Sequence, residues 1–186
     1  VIQYTNNSPH DLPFIWLNLE QNIHRGDSIR SRQNGSTSDH PGMTITRMEV
    51  DGQPVSWHDH VTLARVDLNE PIANSGGTIE LTIDFSFPIR KGASLRMGRH
   101  DAKKGPIWEF AHWFPAPAVY DDVHGWNTLP YIGSGEFYTQ FGNYEVSITV
   151  PRDHLVFGSG VLQNPEQALT QSQRERLAEA ALSDET

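Results

Sequence analysis

His58-Asp59-His60 sets two imidazoles on either side of a carboxylate, the closest such pairing among the nine histidines of this 186-residue chain. On a strand, residues separated by one share a face, so His58 and His60 could hold one metal ion. A zinc site needs at least a third protein ligand, and none is evident beside them. The competing reading is a solvated turn between two strands. Asp121-Asp122 is a second candidate. Glycoside hydrolysis needs two carboxylates at a set separation, but neighbours in sequence diverge in direction, and loop hydrogen bonding accounts for the pair better. No Gly-x-Ser-x-Gly elbow, phosphate loop or dinucleotide fingerprint occurs. No His is followed by Glu anywhere, so the H-E-x-x-H of zinc peptidases is absent. There are no cysteines, which removes disulfides, thiolate metal sites and a cysteine nucleophile. Read from its residues alone, the chain carries no catalytic constellation.

Composition narrows the classes further. Apolar content of 37% and charged content of 20% suit a globular protein with a real core. A net charge of −9 lacks the clustered Lys/Arg footprint that nucleic acid demands. No apolar run approaches membrane-spanning length, and Val1-Ile2-Gln3-Tyr4 is no signal peptide. The chain opens as if in the middle of a strand, which raises the expectation that it is cut from something longer.

The elements that would position any site are mostly strands. From Thr78 to Ile89, Ile79, Leu81, Ile83, Phe85 and Phe87 alternate with polar residues, the pattern of a half-buried strand. Asn143 to Val150 repeats it, with Tyr144, Val146, Ile148 and Val150 inward, and Pro151 ends it. Pro13 to Leu19 is apolar on both faces and reads as a deeply buried strand. Met43 to Val50 and Val61 to Leu68 break phase at Arg47 and Arg65, where bulges or solvent edges are expected. Asp51-Gly52 marks a tight hairpin between them. Leu155 to Leu162 is a further short strand, and Trp108 to Phe114 another. The polar run Gly26 to Gly42 reads as a mobile loop. Helix is expected only at the end, with Asn164-Pro165-Glu166 starting one segment and a Ser172/Glu175 capping box starting another that runs to about Leu182. The fold expected is an all-β sandwich, residues 1–163, of mostly antiparallel strands, with a short helical tail, residues 164–186.

The stretch WFPAPAVYDDVHGW at 113–126 belongs to none of these elements. Prolines at 115 and 117 forbid a central strand or a helix interior. Trp113, Phe114, Tyr120 and Trp126 are too many rings for a disordered linker. It reads as an irregular loop whose rings must pack on something.

The opening YTNNSPHDLPFIWLNLEQNIHR, Tyr4 to Arg25, resembles the start of the amino-terminal domain of aminopeptidase N-type zinc metallopeptidases, where an Asn-Asn-Ser-Pro turn precedes a strand reading Ile-Trp-Leu-x-Leu. The segment Trp113 to Pro151 resembles the same domain in a bacterial branch of that family, and GSGVLQNPEQAL, Gly158 to Leu169, matches its usual exit. The resemblance implies a saddle-shaped sandwich, lacking its first strand or two, that packs on a catalytic domain of the same polypeptide. That catalytic domain, not this chain, would hold the zinc. It further implies that Trp113, Phe114, Pro115, Tyr120 and Trp126 meet that domain near the active-site rim. A Gln or Glu just upstream of the aromatic-Pro pair helps hold the amino terminus of the peptide substrate in this family. Glu109 is the nearest candidate here, and His112 stands where Gln is expected. Two other classes stay open: a carbohydrate-binding module using exposed Trp and Tyr, and a small β-sandwich hydrolase using Asp121, Asp122 or Glu136.

Overall fold

Alternation of apolar and polar residues organises two four-stranded antiparallel sheets whose inner faces share one core. The computed structural model describes residues 1–36, 38–92 and 96–183. In chain order the first half contains β1 (Ile2–Asn6), β2 (Leu12–Asn18), a 3-10 turn (Glu20–His24), α1 (Ile29–Gln33), β3 (Thr44–Val50), β4 (Gln53–Pro54) and β5 (Trp57–Asp59). Then follow β6 (Leu63–Ile72), β7 (Gly77–Ser86), β8 (Met97–Ala102), β9 (Gly105–Phe110), β10 (Ala116–Pro117), β11 (Tyr120–Asp121) and β12 (Gly125–Trp126). One sheet runs β1-β7-β3-β4 and the other β10-β2-β6-β5, while β8–β9 and β11–β12 are two-stranded. The fold is all-β and sandwich-like. No helix among the described residues is long and apolar enough to cross a membrane.

The core joins the inward positions of β2, β3, β6 and β7, among them Ile15, Leu17, Met48, Ala64, Val66, Ile79 and Leu81. On β7, Ile79 and Leu81 are buried while Thr78 and Glu80 are exposed, as a period of two requires. β2 is covered on both faces: Arg65 lies 4.1 Å over the Phe14 ring, and the Trp16 ring lies 5.0 Å from His60. The expected break at Arg47 is a register shift between Ile45 and Arg47 against β7. Arg65 stays in register within β6, and the irregularity in that pairing lies beyond it, where Leu12 pairs with Ile72 and Phe14 with Asp67, leaving the extra residues on β6. Asp51 and Gly52 both have positive φ, 50° and 74°, as a two-residue hairpin of the I′ kind demands. The Asn-Asn-Ser-Pro turn owes its sequence to Asn6, which is buried. Its Nδ2 donates to the carbonyls of His10, Ile72 and Ala73, and its Oδ1 accepts from the Ser8 N–H and hydroxyl.

Five further sequence expectations are corrected. Gly26 to Gly42 is not a simple loop: Ser28 caps the short helix α1 by accepting from Ser31 N–H, and its hydroxyl donates to the Ile23 carbonyl. The strand expected over 108–114 ends at Phe110, because His112 turns the chain at φ 50°. Asn143–Val150 and Leu155–Leu162 form no strand, and Tyr144, Val146, Ile148 and Val150 are exposed. The capping box of the last helix lies two residues earlier than expected, with Thr170 and Gln173 in place of Ser172 and Glu175.

The chain divides into two compact units, Val1–Phe141 and Gly142–Thr186. The second holds α2 (Pro165–Ala168), entered through Asn164 and Pro165 as expected, and α3 (Gln171–Leu182). Arg174 ties the two helices together by donating to the Leu169 carbonyl and pairing with Glu166 at 3.3 Å.

All five tryptophans lie in the first unit, so their fluorescence reports its unfolding. Leu17→Ala, at a fully buried core position, should cost about 2–5 kcal/mol in urea unfolding. Leu129→Ala, at an exposed position in the same unit, should change stability by less than about 0.5 kcal/mol.

Candidate functional site

The 3-10 turn after β2 reads Glu20-Gln21-Asn22-Ile23-His24, and all five residues are buried. Buried polar groups need partners, and Gln21, Asn22 and His24 find them in distant segments. Gln21 Nε2 donates to the carbonyls of Ala111 and His112 at 3.1 and 3.2 Å. Asn22 Nδ2 donates to the Val61 carbonyl at 2.7 Å, and its Oδ1 accepts from Met43 N–H at 2.6 Å. His24 Nδ1 lies 2.9 Å from an Arg90 guanidinium nitrogen, and its carbonyl accepts from the Ser38 hydroxyl. Since Arg90 can only donate, His24 carries its proton on Nε2 and is neutral in this geometry.

Burial disfavours charge throughout the turn. Burial pushes the Glu20 carboxyl up to about 7, partly offset by a backbone hydrogen bond. Burial, with Arg90, His40 and Arg30 adding positive potential, brings His24 down to about 4.

Gln21 fixes the segment singled out in the sequence. By holding the carbonyls of residues 111 and 112 it stabilises the left-handed turn at His112, an unusual conformation for a non-glycine residue. The His112 ring stacks on Phe137 with centroids 3.6 Å apart. Phe137 also packs on Tyr131 at 4.8 Å, and Arg96 lies 5.3 Å over the Phe137 ring while pairing with Glu136 at 3.3 Å. Burial, and then Arg96, lowers the His112 pKa, so its imidazole is neutral near pH 7 and can accept one hydrogen bond.

Beyond His112 the chain returns to the sandwich. Pro115 is fully buried, and Ala116–Pro117 pairs with Asn18 and Leu17 as the edge strand β10, the one sheet position a proline tolerates. Trp113 and Phe114 are half-buried, with the Trp113 ring 6.2 Å from Phe85 and 5.2 Å from Phe114. Tyr120 and Trp126 are half-buried against the core, 5.2 Å apart, and the Tyr120 hydroxyl meets His10 Nδ1 at 3.2 Å. The rings of the loop therefore pack mainly on the first unit's own sheets.

Glu109 is exposed on β9 opposite Gly98, and no ion pair or side-chain hydrogen bond is formed by it among the described residues. Alternation does not carry its face on to Trp113, because the strand stops at Phe110. His58 and His60 do not converge: His58 Nε2 meets Asp67 at 2.9 Å, while His60 packs on Trp16. Asp59 pairs with Arg25 at 2.6 Å. No group of three or more potential metal ligands gathers among the described residues. Asp121 accepts from the N–H groups of Val123 and His124, which holds its carboxyl below the usual range. That is turn chemistry, and it leaves Asp121 unsuited to the protonated-acid role of a glycosidase.

The buried turn makes stability depend on pH in two opposing ways. Glu20, raised in the folded state, contributes stability fully below its unfolded value and loses it as pH rises through about 7. His24, depressed in the folded state, contributes fully above its unfolded value and loses it as pH falls through about 4. Glu20→Gln should therefore gain on the wild type between about pH 5 and about pH 8, by as much as roughly 3 kcal/mol in urea unfolding.

No family model, curated protein or solved structure matches this chain.

Proposed function

We propose that this chain is a non-catalytic, amino-terminal domain of a zinc-dependent aminopeptidase, packing on a catalytic domain of the same polypeptide and walling the site for the substrate's amino terminus. The reading rests on the motif resemblance of Tyr4–Arg25, Trp113–Pro151 and Gly158–Leu169. The observation that carries it furthest is the geometry of His112. A neutral imidazole is held in a strained turn by Gln21 and stacked on Phe137, immediately before the Trp113-Phe114-Pro115 segment. Strained backbone that the surrounding structure over-determines is a mark of functional positions.

A neutral imidazole accepts a hydrogen bond from an ammonium group, as the Gln of the resembled family does through its amide oxygen. Glu109, exposed on the strand leading into this turn, adds a carboxylate that can pair with the same cation. The parent's zinc, held outside these residues, would polarise the scissile carbonyl. The half-buried rings of Trp113, Phe114, Tyr120 and Trp126, with the exposed Val123, Leu129 and Ile132 beyond them, offer apolar surface for a neighbouring domain.

The test is kinetics on the full-length enzyme, comparing a free-amine aminoacyl substrate with its N-blocked analogue. His112→Ala or Glu109→Ala should lower kcat/KM for the free amine by roughly ten- to a hundredfold, the loss of about 1.5–3 kcal/mol. His112→Gln should retain most of the activity, and Glu109→Gln should cost less than Glu109→Ala. Should both alanine variants keep the preference for the free amine, the proposed role is wrong. The purified chain by itself should release no amino acid from an aminoacyl reporter, with or without added zinc.

A further inference from the structure

A cavity of about 260 Å³ opens between Trp16 of β2, Arg32 of α1, the His60–Leu63 turn before β6, and Thr128, Pro130 and Tyr131. Its walls combine three features that point to one kind of ligand. Trp16, His60 and Tyr131 supply rings, with Trp16 and His60 tilted at 54° and 5.0 Å apart. Among the described residues, Arg32 is the one charged side chain in the lining and forms no ion pair, although the protein as a whole carries −9. Thr62 is buried, and its hydroxyl oxygen accepts from the Tyr131 N–H at 3.2 Å, leaving its proton to donate.

The wall is also strained. Val61 has φ 69°, a left-handed conformation that a β-branched residue adopts only under constraint. It is held there from both sides: its N–H donates to Asp59 Oδ1 at 2.7 Å, and its carbonyl accepts from Asn22 Nδ2 at 2.7 Å. The fold thus spends stability to shape this turn, and the residue next to it is the buried threonine.

We propose that this cavity binds a small aromatic carboxylate. The ring of such a ligand fits between Trp16 and Tyr131, the carboxylate pairs with the Arg32 guanidinium, and the Thr62 hydroxyl donates to a carboxylate oxygen. Among the described residues, no acidic side chain lines the cavity to repel it. At this volume the occupant is smaller than the drug-sized ligands that fill larger pockets. The site is independent of the aminopeptidase reading.

Benzoate is the probe, titrated into the ¹⁵N-labelled chain while amide shifts are followed. Benzoate should shift the Thr62 and Tyr131 amides with a Kd of about 1 mM or tighter. Arg32→Gln, at an exposed position that cannot upset the core, should weaken benzoate at least about tenfold without moving Tm. Acetate, which lacks the ring, and benzylamine, which carries the opposite charge, should each bind at least about tenfold more weakly than benzoate. The proposal is overturned by benzoate leaving those amides unmoved, by unaltered binding to Arg32→Gln, or by equal binding of acetate or benzylamine.

Discussion

The structure of the first unit depends on burying a polar turn. Glu20-Gln21-Asn22-Ile23-His24 follows β2, which is covered on both faces, and its four polar side chains are buried. An unsatisfied buried group costs about 1–3 kcal/mol, and a buried charge more. Three of these side chains recruit distant segments. Gln21 takes the turn at 111–112, Asn22 takes Met43 and Val61, and His24 takes Arg90 and Ser38. Loops that the sheets alone would leave loose become fixed to a single point.

Both places where chemistry is proposed inherit their geometry from that point. Gln21 grips the carbonyls that place His112 on Phe137, and Asn22 grips the carbonyl that holds Val61 in its left-handed conformation beside Thr62. Neutrality is part of the design. With Glu20 raised towards 7 and His24 depressed to about 4, the turn offers hydrogen bonds near neutral pH without a full complement of buried charge.

What the sequence disclosed was local. Alternation on β7, the Asp51-Gly52 hairpin and the Asn164-Pro165 helix start are written in residues a few positions apart, and each took its expected form. The polar turn was not legible, because its meaning lies in partners 14 to 91 residues away; Gln21 and Ala111 are separated by 90 positions. The same distance hid the end of β9: nothing within 108–114 announces that Gln21 will capture two carbonyls and halt the strand. Asn143–Val150 failed for the opposite reason. Alternation describes a face, but a strand also needs a hydrogen-bonding neighbour, which local sequence cannot supply. Ser28 marks the limit of capping signals. It lies in a polar run that reads as loop, yet it is fully buried and caps α1 because Ile23 offers a carbonyl to its hydroxyl.

The candidate site was legible in its residue types and less so in its arrangement. His112 drew notice because it occupies a position where an amide was expected, and the structure gives it a stacked imidazole on a backbone carbonyl held by Gln21. The cavity beside Thr62 left no motif at all, since its lining comes from four separate stretches of chain. The first unit as a whole rests on the buried turn, and Asn22 tests that dependence most directly. Asn22→Ala strands the Met43 N–H and the Val61 carbonyl, so urea unfolding should show a loss of about 2–4 kcal/mol. A loss below about 0.5 kcal/mol, the size expected of an ordinary surface position, would contradict the claim that this turn organises the fold.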